Sequence, residues 1–264
     1  MKIMKKKSTT CYTNHPRVKD NHNPSPNLHH SRLLFFFSAF LCFFIIHFPR
    51  NTNPLSIPMA AALSTVVGSQ PAIKVIALCG SLRQNSYNRG LIRAATEIAK
   101  ESIDGLHIEF IDISPLPMLN TDLEVDGTYP PVVEAFRRKI LEADSYLFAS
   151  PEYNYSITAP LKNAIDWGSR PPNVWRDKAA AIVSAGGGSG GLRSQYHLRQ
   201  VGVFLDLHFI NKPEFFLNAF QTPPKFGSNG DLIDAEVRER LKALLLALRA
   251  FSLRLKGTNP PVDC

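Results

Sequence analysis

Three polar loops each follow an apolar run of the chain, and they hold the side chains that could do chemistry. The first loop follows residues 73–79 and offers Ser81, Arg83, Ser86 and Asn88 as hydrogen-bond donors. A helix-like segment comes next, so the loop N–H groups and the helix N-terminus converge on one point that favours negative charge. These donors fit a terminal phosphate, whose oxygens need many partners. The plainer interpretation is a turn with Asn88 as the helix cap.

The second loop follows another apolar run, at residues 145–150, and begins Pro151, Glu152, Tyr153, Asn154. Tyrosine has an apolar face and a polar tip, and backbone N–H groups in this loop could reach the polar edge of a ring system. The loop therefore suits a flat ligand. The alternative is a surface turn whose tyrosines pack against another subunit.

The third loop reads SAGGGSGG, and its candidate residues are Ser184, Gly186, Gly187 and Gly188. It contains the GxGxxG spacing of a dinucleotide fingerprint, ending at Gly191, with Asp206 placed 20 residues beyond the first glycine. We interpret this match as a decoy, because any glycine-dense run satisfies the spacing and the acid of a true fingerprint ends a strand. Glycine still permits close backbone approach to a flat ligand.

The segments around these loops alternate between strand and helix patterns. Predicted strands cover residues 73–80, 107–113, 145–150, 179–185 and 215–217, with 208–210 as an uncertain extra. Predicted helices cover residues 88–101, 132–143, 159–167, 192–206 and 234–251. Right-handed crossovers then give an α/β fold in three layers: a flavodoxin-like, doubly wound, five-stranded parallel sheet of order 2-1-3-4-5. In such a sheet the three loops lie together at the carboxyl edge.

The basic charge of the chain is concentrated in its first 70 residues. They hold eight Lys or Arg and one Asp, which is +7 of the whole chain's +8 and leaves +1 for the rest. The folded part therefore gives no electrostatic reason to expect a nucleic-acid or membrane partner. The four cysteines form no CxxC pair, and no His or Cys spacing resembles a metal site, so we expect a reducing compartment and no metal.

The N-terminal segment contains an uncharged, Phe-rich run at residues 33–48. The run is long for the core of a signal peptide and short for a membrane span, which needs about 20 residues. It could be a signal anchor or a transit peptide, or the native chain could start at Met59. We therefore expect residues 1–70 to be disordered, removed or not native. Residues 71–257 form the folded domain, and 258–264 a short tail. The expected location is the cytoplasm, or a membrane or organelle if the run acts as an anchor or targeting segment.

The first two loops, together with LKNAIDW at residues 161–167, resemble the NADPH-dependent FMN reductase family. Within it, the resemblance is to plant NADPH:quinone oxidoreductases and their bacterial quinone and chromate reductase relatives. It covers residues 73–251 and implies a non-covalent FMN with NADPH or NADH as co-substrate. Because the flavin carries the chemistry, no catalytic acid or base is expected.

The resemblance assigns the loop residues to two parts of FMN. Those implied at the phosphate are Ser81, Arg83, Ser86 and Asn88. Those implied at the isoalloxazine ring are Pro151, Glu152, Tyr153, Asn154, Ser184, Gly186, Gly187 and Gly188. An FMN-binding domain at residues 71–257 follows from this assignment.

The implied activity is a two-electron, ping-pong reduction of quinones to hydroquinones, a detoxifying reaction. The resemblance also implies a homodimer or homotetramer, with residues 196–199 and Glu214 at the contact. The residues leave other functions open: a reductase of free flavin, azo dye or metal oxyanion, a flavodoxin-like electron carrier, or a Rossmann enzyme. Carriers of that kind are usually acidic, unlike this domain. Arg83, Arg170 and Arg193 are candidates for the 2′-phosphate of NADPH.

Overall fold

Strands and helices alternate along residues 71–257, the part of the chain that the computed structural model describes. The strands are β1 (Ile73–Cys79), β2 (Leu106–Ile111), β3 (Ser145–Ala149), β4 (Lys178–Gly186), β5 (Leu207–Phe209) and β6 (Phe216–Asn218). The helices are α1 (Tyr87–Ser102), α2 (Pro131–Glu142), α3 (Ala159–Ser169), α4 (Leu192–Leu205) and α5 (Ala235–Leu255), with a 3-10 turn at Thr121–Leu123. The predicted extension at 1–70, with its run at 33–48, and the tail at 258–264 lie outside the described residues.

The strands form a parallel sheet of order β2-β1-β3-β4-β5, which confirms the predicted 2-1-3-4-5 order. Helices α1 and α5 pack on one face, and α2, α3 and α4 pack on the other. The sheet is therefore the middle of three layers. Strand β3 is buried along its whole length, as expected for a parallel strand covered on both faces.

The fifth position of the sheet differs from the prediction. It is filled by two three-residue strands, so the sheet has six strands and not five. Strand β5 pairs with the start of β4, and β6 pairs with its end. This is possible because β4 is nine residues long, so each short partner covers only a third of it. The uncertain strand at 208–210 and the fifth strand at 215–217 thus both correspond to real elements.

Five strands, β1, β2, β3, β4 and β6, have their carboxyl ends at the same edge of the sheet, and the loops after them start there. Helices α1, α3 and α4 begin at this edge as well. None of the helices within residues 71–257 is both long enough and apolar enough to span a bilayer.

Candidate functional site

A cavity of about 320 Å³ opens at the carboxyl edge of the sheet. Nine of the twelve predicted site residues line it: Ser81, Arg83, Ser86, Asn88, Pro151, Glu152, Tyr153, Gly186 and Gly187. The other three, Asn154, Ser184 and Gly188, do not. Tyr87, Ala185 and Phe220 complete the lining. The fold therefore gathers all three predicted loops around one space, together with a fourth loop that follows β6.

The N-terminus of α1 is open toward this cavity. Ser86 is the N-cap residue, but its side chain makes no capping hydrogen bond. The N–H groups of Tyr87, Asn88 and Arg89 in the first turn also find no acceptor among the backbone groups of residues 71–257, and the N–H of Gly90 is the first to bond within the helix, to the Ser86 carbonyl at 2.9 Å. Ser81 and Ser86 are nearly buried, at 5% and 3% exposure, while Arg83 lies at the surface above them. Unsatisfied N–H groups, two hydroxyls and a guanidinium form a donor set that fits a phosphate.

Asn88 has a different place from the one predicted by the plainer interpretation. The helix begins one residue earlier, so Ser86 is the cap residue and Asn88 points inward. Its side-chain amide donates to the carbonyl of Ala185 (2.8 Å) and accepts from the N–H of the same residue (3.0 Å). This buried pair of bonds ties α1 to β4 across the floor of the cavity, and one amide N–H of Asn88 is left for a ligand.

Cys79, the last residue of β1, lies directly below the first loop. The N–H of Ser81 donates to its Sγ at 3.5 Å. Burial raises the pKa of the Cys79 thiol to about 11. The thiol is therefore neutral at physiological pH and gives the loop an uncharged floor, which suits a site for an anion.

Glu152 closes the N-terminus of a second helix. Its carboxylate accepts from the N–H groups of Arg193 (2.9 Å) and Ser194 (3.4 Å), the second and third residues of α4. The guanidinium of Arg193 adds a bond of 3.1 Å to the other oxygen. A carboxylate at this end of a helix satisfies the free N–H groups and the helix dipole. Glu152 therefore lines the cavity, but its charge is already engaged by the protein.

The rest of the second loop is a tight turn. Tyr153 and Ser156 pair across it, and the two residues between them, Asn154 and Tyr155, have left-handed φ angles of 50° and 64°. Such angles cost about 1 kcal/mol for a residue with a side chain. The guanidinium of Arg193 stacks on the Tyr155 ring, with 4.1 Å to its centroid. The turn leaves Tyr153 on the cavity wall and keeps Asn154 off it, contrary to the prediction.

Ser184 holds the glycine loop in place by hydrogen bonds from the buried side. Its hydroxyl donates to the carbonyl of Gly190 (2.6 Å) and accepts from the side-chain amide of Gln195 (2.8 Å). The residue is fully buried and does not reach the cavity. Gly187, in contrast, is part of the wall, and a Cβ added there would meet no protein atom within 4 Å. The wall formed by this loop is bare backbone, which a flat ring can approach closely.

The dinucleotide fingerprint in the glycine loop is a decoy, as predicted. Asp206 does not end a strand: it is the C-cap of α4, in a left-handed conformation with φ of 60°. In addition, the Glu152 carboxylate occupies the N-terminus of α4, where a fingerprint would hold a pyrophosphate. A second negative group would be repelled from that position.

The aromatic residues Tyr87 and Phe220 were missed by sequence reasoning. Tyr87 stacks on Phe226 with 4.4 Å between centroids, and Phe220 meets the Tyr87 ring edge-on at 6.1 Å. Tyr87 stands between Ser86 and Asn88, whose polar side chains were the predicted ligands. Phe220 follows β6, and the rule that ligands bind beyond strand carboxyl ends is the sequence signal that points to its loop.

Two of the three arginines considered for phosphate binding are already paired. Arg170 forms a two-point ion pair with Glu124, at 2.6 and 2.9 Å, and Arg193 pairs with Glu152. Arg83 instead lies 5.8 Å from the centroid of the Tyr87 ring, and no ion pair within residues 71–257 involves it. The pairing leaves Arg83 for a ligand anion.

Comparison with known proteins agrees with this geometry. The sequence model of NADPH-dependent FMN reductase matches residues 73–222. The chain belongs to the NADPH-dependent FMN reductase family. It is 76% identical over 191 residues to NAD(P)H:quinone oxidoreductase of Solanum tuberosum, covering 72% of this chain and 98% of that protein. It is 69% identical over 195 residues to NADPH:quinone oxidoreductase of Arabidopsis thaliana, covering 74% of this chain and 100% of that protein.

The chain also matches more distant proteins, in sequence and in structure. A quinone reductase of Escherichia coli is 37% identical over 186 residues, covering 70% of this chain and 97% of that protein. The solved flavoenzyme FerB, an NAD(P)H:(acceptor) oxidoreductase from Paracoccus denitrificans, superposes with a TM-score of 0.60 at 26% identity. That match covers 69% of this chain and 98% of FerB. The flavodoxin-like sheet predicted from the sequence is therefore the fold of its relatives.

Proposed function

We propose that this protein is an FMN-dependent NAD(P)H:quinone oxidoreductase. The observation that carries the proposal is the open N-terminus of α1, which faces a cavity whose other walls are aromatic rings and glycine backbone. Close relatives are named NAD(P)H:quinone oxidoreductases. When bound, FMN supplies the two-electron redox chemistry that links NAD(P)H to a quinone. The protein binds FMN, orients it and shields it from solvent.

The proposed phosphate site is formed by Ser81, Arg83, Ser86 and the first-turn N–H groups of α1. A phosphate dianion there would satisfy the helix dipole and the N–H groups that have no other acceptor. The charge-assisted bond from Arg83 is the strongest single contact of this set. Asn88 fixes the helix relative to β4 and offers its remaining amide hydrogen.

The proposed ring site lies between the second and third loops. Pro151 and Tyr153 form one wall, and the backbone of Gly186 and Gly187 forms the other. Glu152, which itself lines the cavity, and the buried Ser184 hold these walls in place through α4 and the glycine loop. Because their polar atoms are engaged by protein groups, we assign them to positioning and not to contact with the flavin's reacting atoms.

The hydrogen bonds of the cavity residues also indicate the source of the proton that quinone reduction consumes. Glu152 is the carboxylate that lines the cavity, and it accepts hydrogen bonds from two backbone N–H groups and a guanidinium. It is therefore poorly placed to donate or accept a proton during turnover. Reduction of a quinone by NAD(P)H consumes one proton beyond the transferred hydride, and we propose that solvent at the cavity mouth provides it.

The experiment is direct. Purified protein should be yellow, and heat should release FMN. Initial rates at varied NADPH and quinone should give parallel double-reciprocal lines; intersecting lines would contradict the ping-pong scheme. Bleaching of the flavin absorbance by NADPH alone, without a partner protein, would separate an enzyme from an electron carrier. A colourless protein that gains no absorbance on adding FMN would refute the proposal.

We also propose that the chain self-associates through α4. Val203 and Phe204 are 81% and 83% exposed, and Tyr196 on the same helix is 51% exposed. Apolar side chains of this size at the surface favour a protein contact. Light scattering should give the mass of a dimer or tetramer, and Phe204→Ser should shift it toward the monomer. An unchanged mass would remove α4 from the contact.

Two further proposals concern the domain boundaries and the cellular location. Residues 71–257 are proposed as the FMN-binding domain, which is supported by the family match that begins at residue 73. A chain that starts at Met59 should then bind FMN and reduce quinones like the full chain. We propose the cytoplasm for this domain, and imaging of the full chain beside the Met59 form would reveal any targeting by residues 1–58.

A further inference from the structure

Phe220 is an exposed aromatic residue on the cavity wall. It is 74% exposed, although it lines the cavity. Its backbone is fixed beside the glycine loop, because the N–H of Ala219 donates to the carbonyl of Gly186 at 2.8 Å. Its own N–H donates to the Asn218 side chain at 3.1 Å. The base of the side chain is therefore held in place while its ring faces open space.

The segment after Phe220 is anchored on its other side by α1. Tyr87 stacks on Phe226 and supports the edge of the Phe220 ring. The turn that follows packs so closely on α1 that a Cβ at Gly90 would overlap a backbone carbonyl of the turn. The ion pair between Arg93 and Asp231, at 2.5 Å, adds a further tie. Residues 220–224, between the two anchors, are all exposed.

An exposed phenyl ring at this place has a physical cost. Burying such an apolar side chain stabilises a protein, and that gain is not realised within residues 71–257. Tyr153 is the other strongly exposed aromatic residue that lines the cavity, at 54%. The buried donors Ser81, Ser86 and Asn88 line the same cavity and suit a resident cofactor. The exposed ring lies at the rim, where a visiting molecule arrives.

We propose that Phe220 determines specificity for the electron acceptor, packing its ring against a flat, apolar acceptor such as a quinone. The inference rests on the proposed function. Aromatic packing favours a ring over a small ion, because only the ring buries the phenyl face. Phe220 thus raises the enzyme's preference for aromatic acceptors over small inorganic ones. It makes no bond to the flavin phosphate and takes no part in proton transfer.

The test compares two acceptors on the FMN-loaded enzyme. In Phe220→Ala, kcat/KM for 1,4-naphthoquinone should fall by about tenfold, mainly through KM. The value for ferricyanide, a small inorganic acceptor, should stay within about twofold, as should the Kd for FMN. Phe220→Tyr should restore naphthoquinone reduction. The matched control is Leu141→Ala, since Leu141 is also exposed, at 61%, and does not line the cavity.

Three outcomes would overturn the inference. One is an unchanged KM for naphthoquinone in Phe220→Ala. Another is an equal loss with both acceptors, which would indicate a general structural effect. The third is a weaker Kd for FMN that accounts for the whole loss, since Phe220 would then be a wall for the cofactor. Failure of the proposed function is separate: the unmutated protein itself would lack FMN and quinone turnover.

Discussion

Two helices begin at the same edge of the sheet, and their N-termini are treated in opposite ways. Helix α1 follows β1, and its cap residue Ser86 makes no capping bond, so the first-turn N–H groups stay free. Helix α4 follows β4, and Glu152 from another loop closes its N-terminus with a carboxylate. An anion site at a helix N-terminus therefore needs a helix end without its own acceptor. The glycine-rich loop, which looks more like a phosphate site, leads to the closed helix.

The β1–α1 unit and the β4–α4 unit also differ in how they use polar side chains. In the β4–α4 unit, Ser184 and Gln195 hydrogen-bond each other and the backbone, so they build the loop. In the β1–α1 unit, Ser81 and Arg83 both line the cavity, and Arg83 forms no ion pair among the described residues. The β4–α4 unit holds the shape of the site, and we propose that the β1–α1 unit holds the ligand.

The largest effect is expected where the two units are joined. Asn88→Ala removes both hydrogen bonds to Ala185 and leaves a buried N–H and carbonyl without partners. The free energy of unfolding of the FMN-free protein should fall by about 2–4 kcal/mol, as measured by urea denaturation. Asn85→Ala, an exposed change in the same loop, should cost less than about 0.5 kcal/mol. Equal losses would mean that Asn88 does not join the units.

The next largest effect is a difference in FMN affinity between variants at the two helix ends. Arg83→Ala should weaken FMN binding by about 10- to 100-fold, because a charge-assisted bond is worth about 1.5–3 kcal/mol. Turnover of the FMN-saturated variant should change much less. Arg193→Ala, at the closed helix, should leave the Kd within about threefold. Fluorescence titration of FMN measures all three proteins. A larger loss in Arg193→Ala would reverse the assignment of the two ends.

A smaller effect is a difference in the free energy of unfolding between variants at the same two helix ends. Glu152→Ala removes the acceptor at α4, and the free energy of unfolding should fall by about 1–2 kcal/mol. Ser86→Ala should lower it by at most about 0.5 kcal/mol, since no helix N–H uses that hydroxyl. The FMN titration should show the opposite order, with the greater loss in Ser86→Ala. If both variants lose stability equally, the contrast between the helices is wrong.

The smallest effect near neutral pH concerns the floor of the phosphate loop. The pKa of Cys79 lies near 11, above its ordinary value of 9.0. The stabilisation from the neutral thiol is therefore complete below pH 9 and is lost as the pH rises toward 11. Iodoacetamide should modify Cys79 about tenfold faster per pH unit up to that range, as followed by peptide mass spectrometry. Bound FMN should slow the reaction; a plateau near pH 8 would contradict the uncharged floor.

The sheet was predictable because its strands are apolar runs between polar loops, and the loops fall at strand ends. Strand order then placed Ser81, Tyr153 and Gly186 around one space, where they are found. The fifth position was harder. Strands of three residues, such as β5 and β6, are too short for alternation to distinguish them from a loop.

Partnerships between distant residues could not be predicted. Asn88 bonds to a residue 97 positions away, and Glu152 bonds to one 41 positions away. Local spacing carries no information about such pairs, so the bonds that Asn88 and Glu152 make within the protein were not predicted. The tight turn that removes Asn154 from the cavity depends on two consecutive left-handed φ angles, which Asn154 adopts readily but a residue such as Tyr155 rarely does.

The split edge position makes the chain tolerant of added length at one point. Between β5 and β6 the chain leaves the sheet, and α4 fixes both ends of this detour: Arg199 donates to the carbonyl of Ile210 at 2.9 Å, and Gln195 donates to that of Phe215 at 2.8 Å. Residues 211–214 between these ties are mostly exposed. Insertions there would lengthen an outer loop while β6 still delivers Phe220 to the cavity. The detour is thus a place to attach a tag or a second domain without rebuilding the pocket.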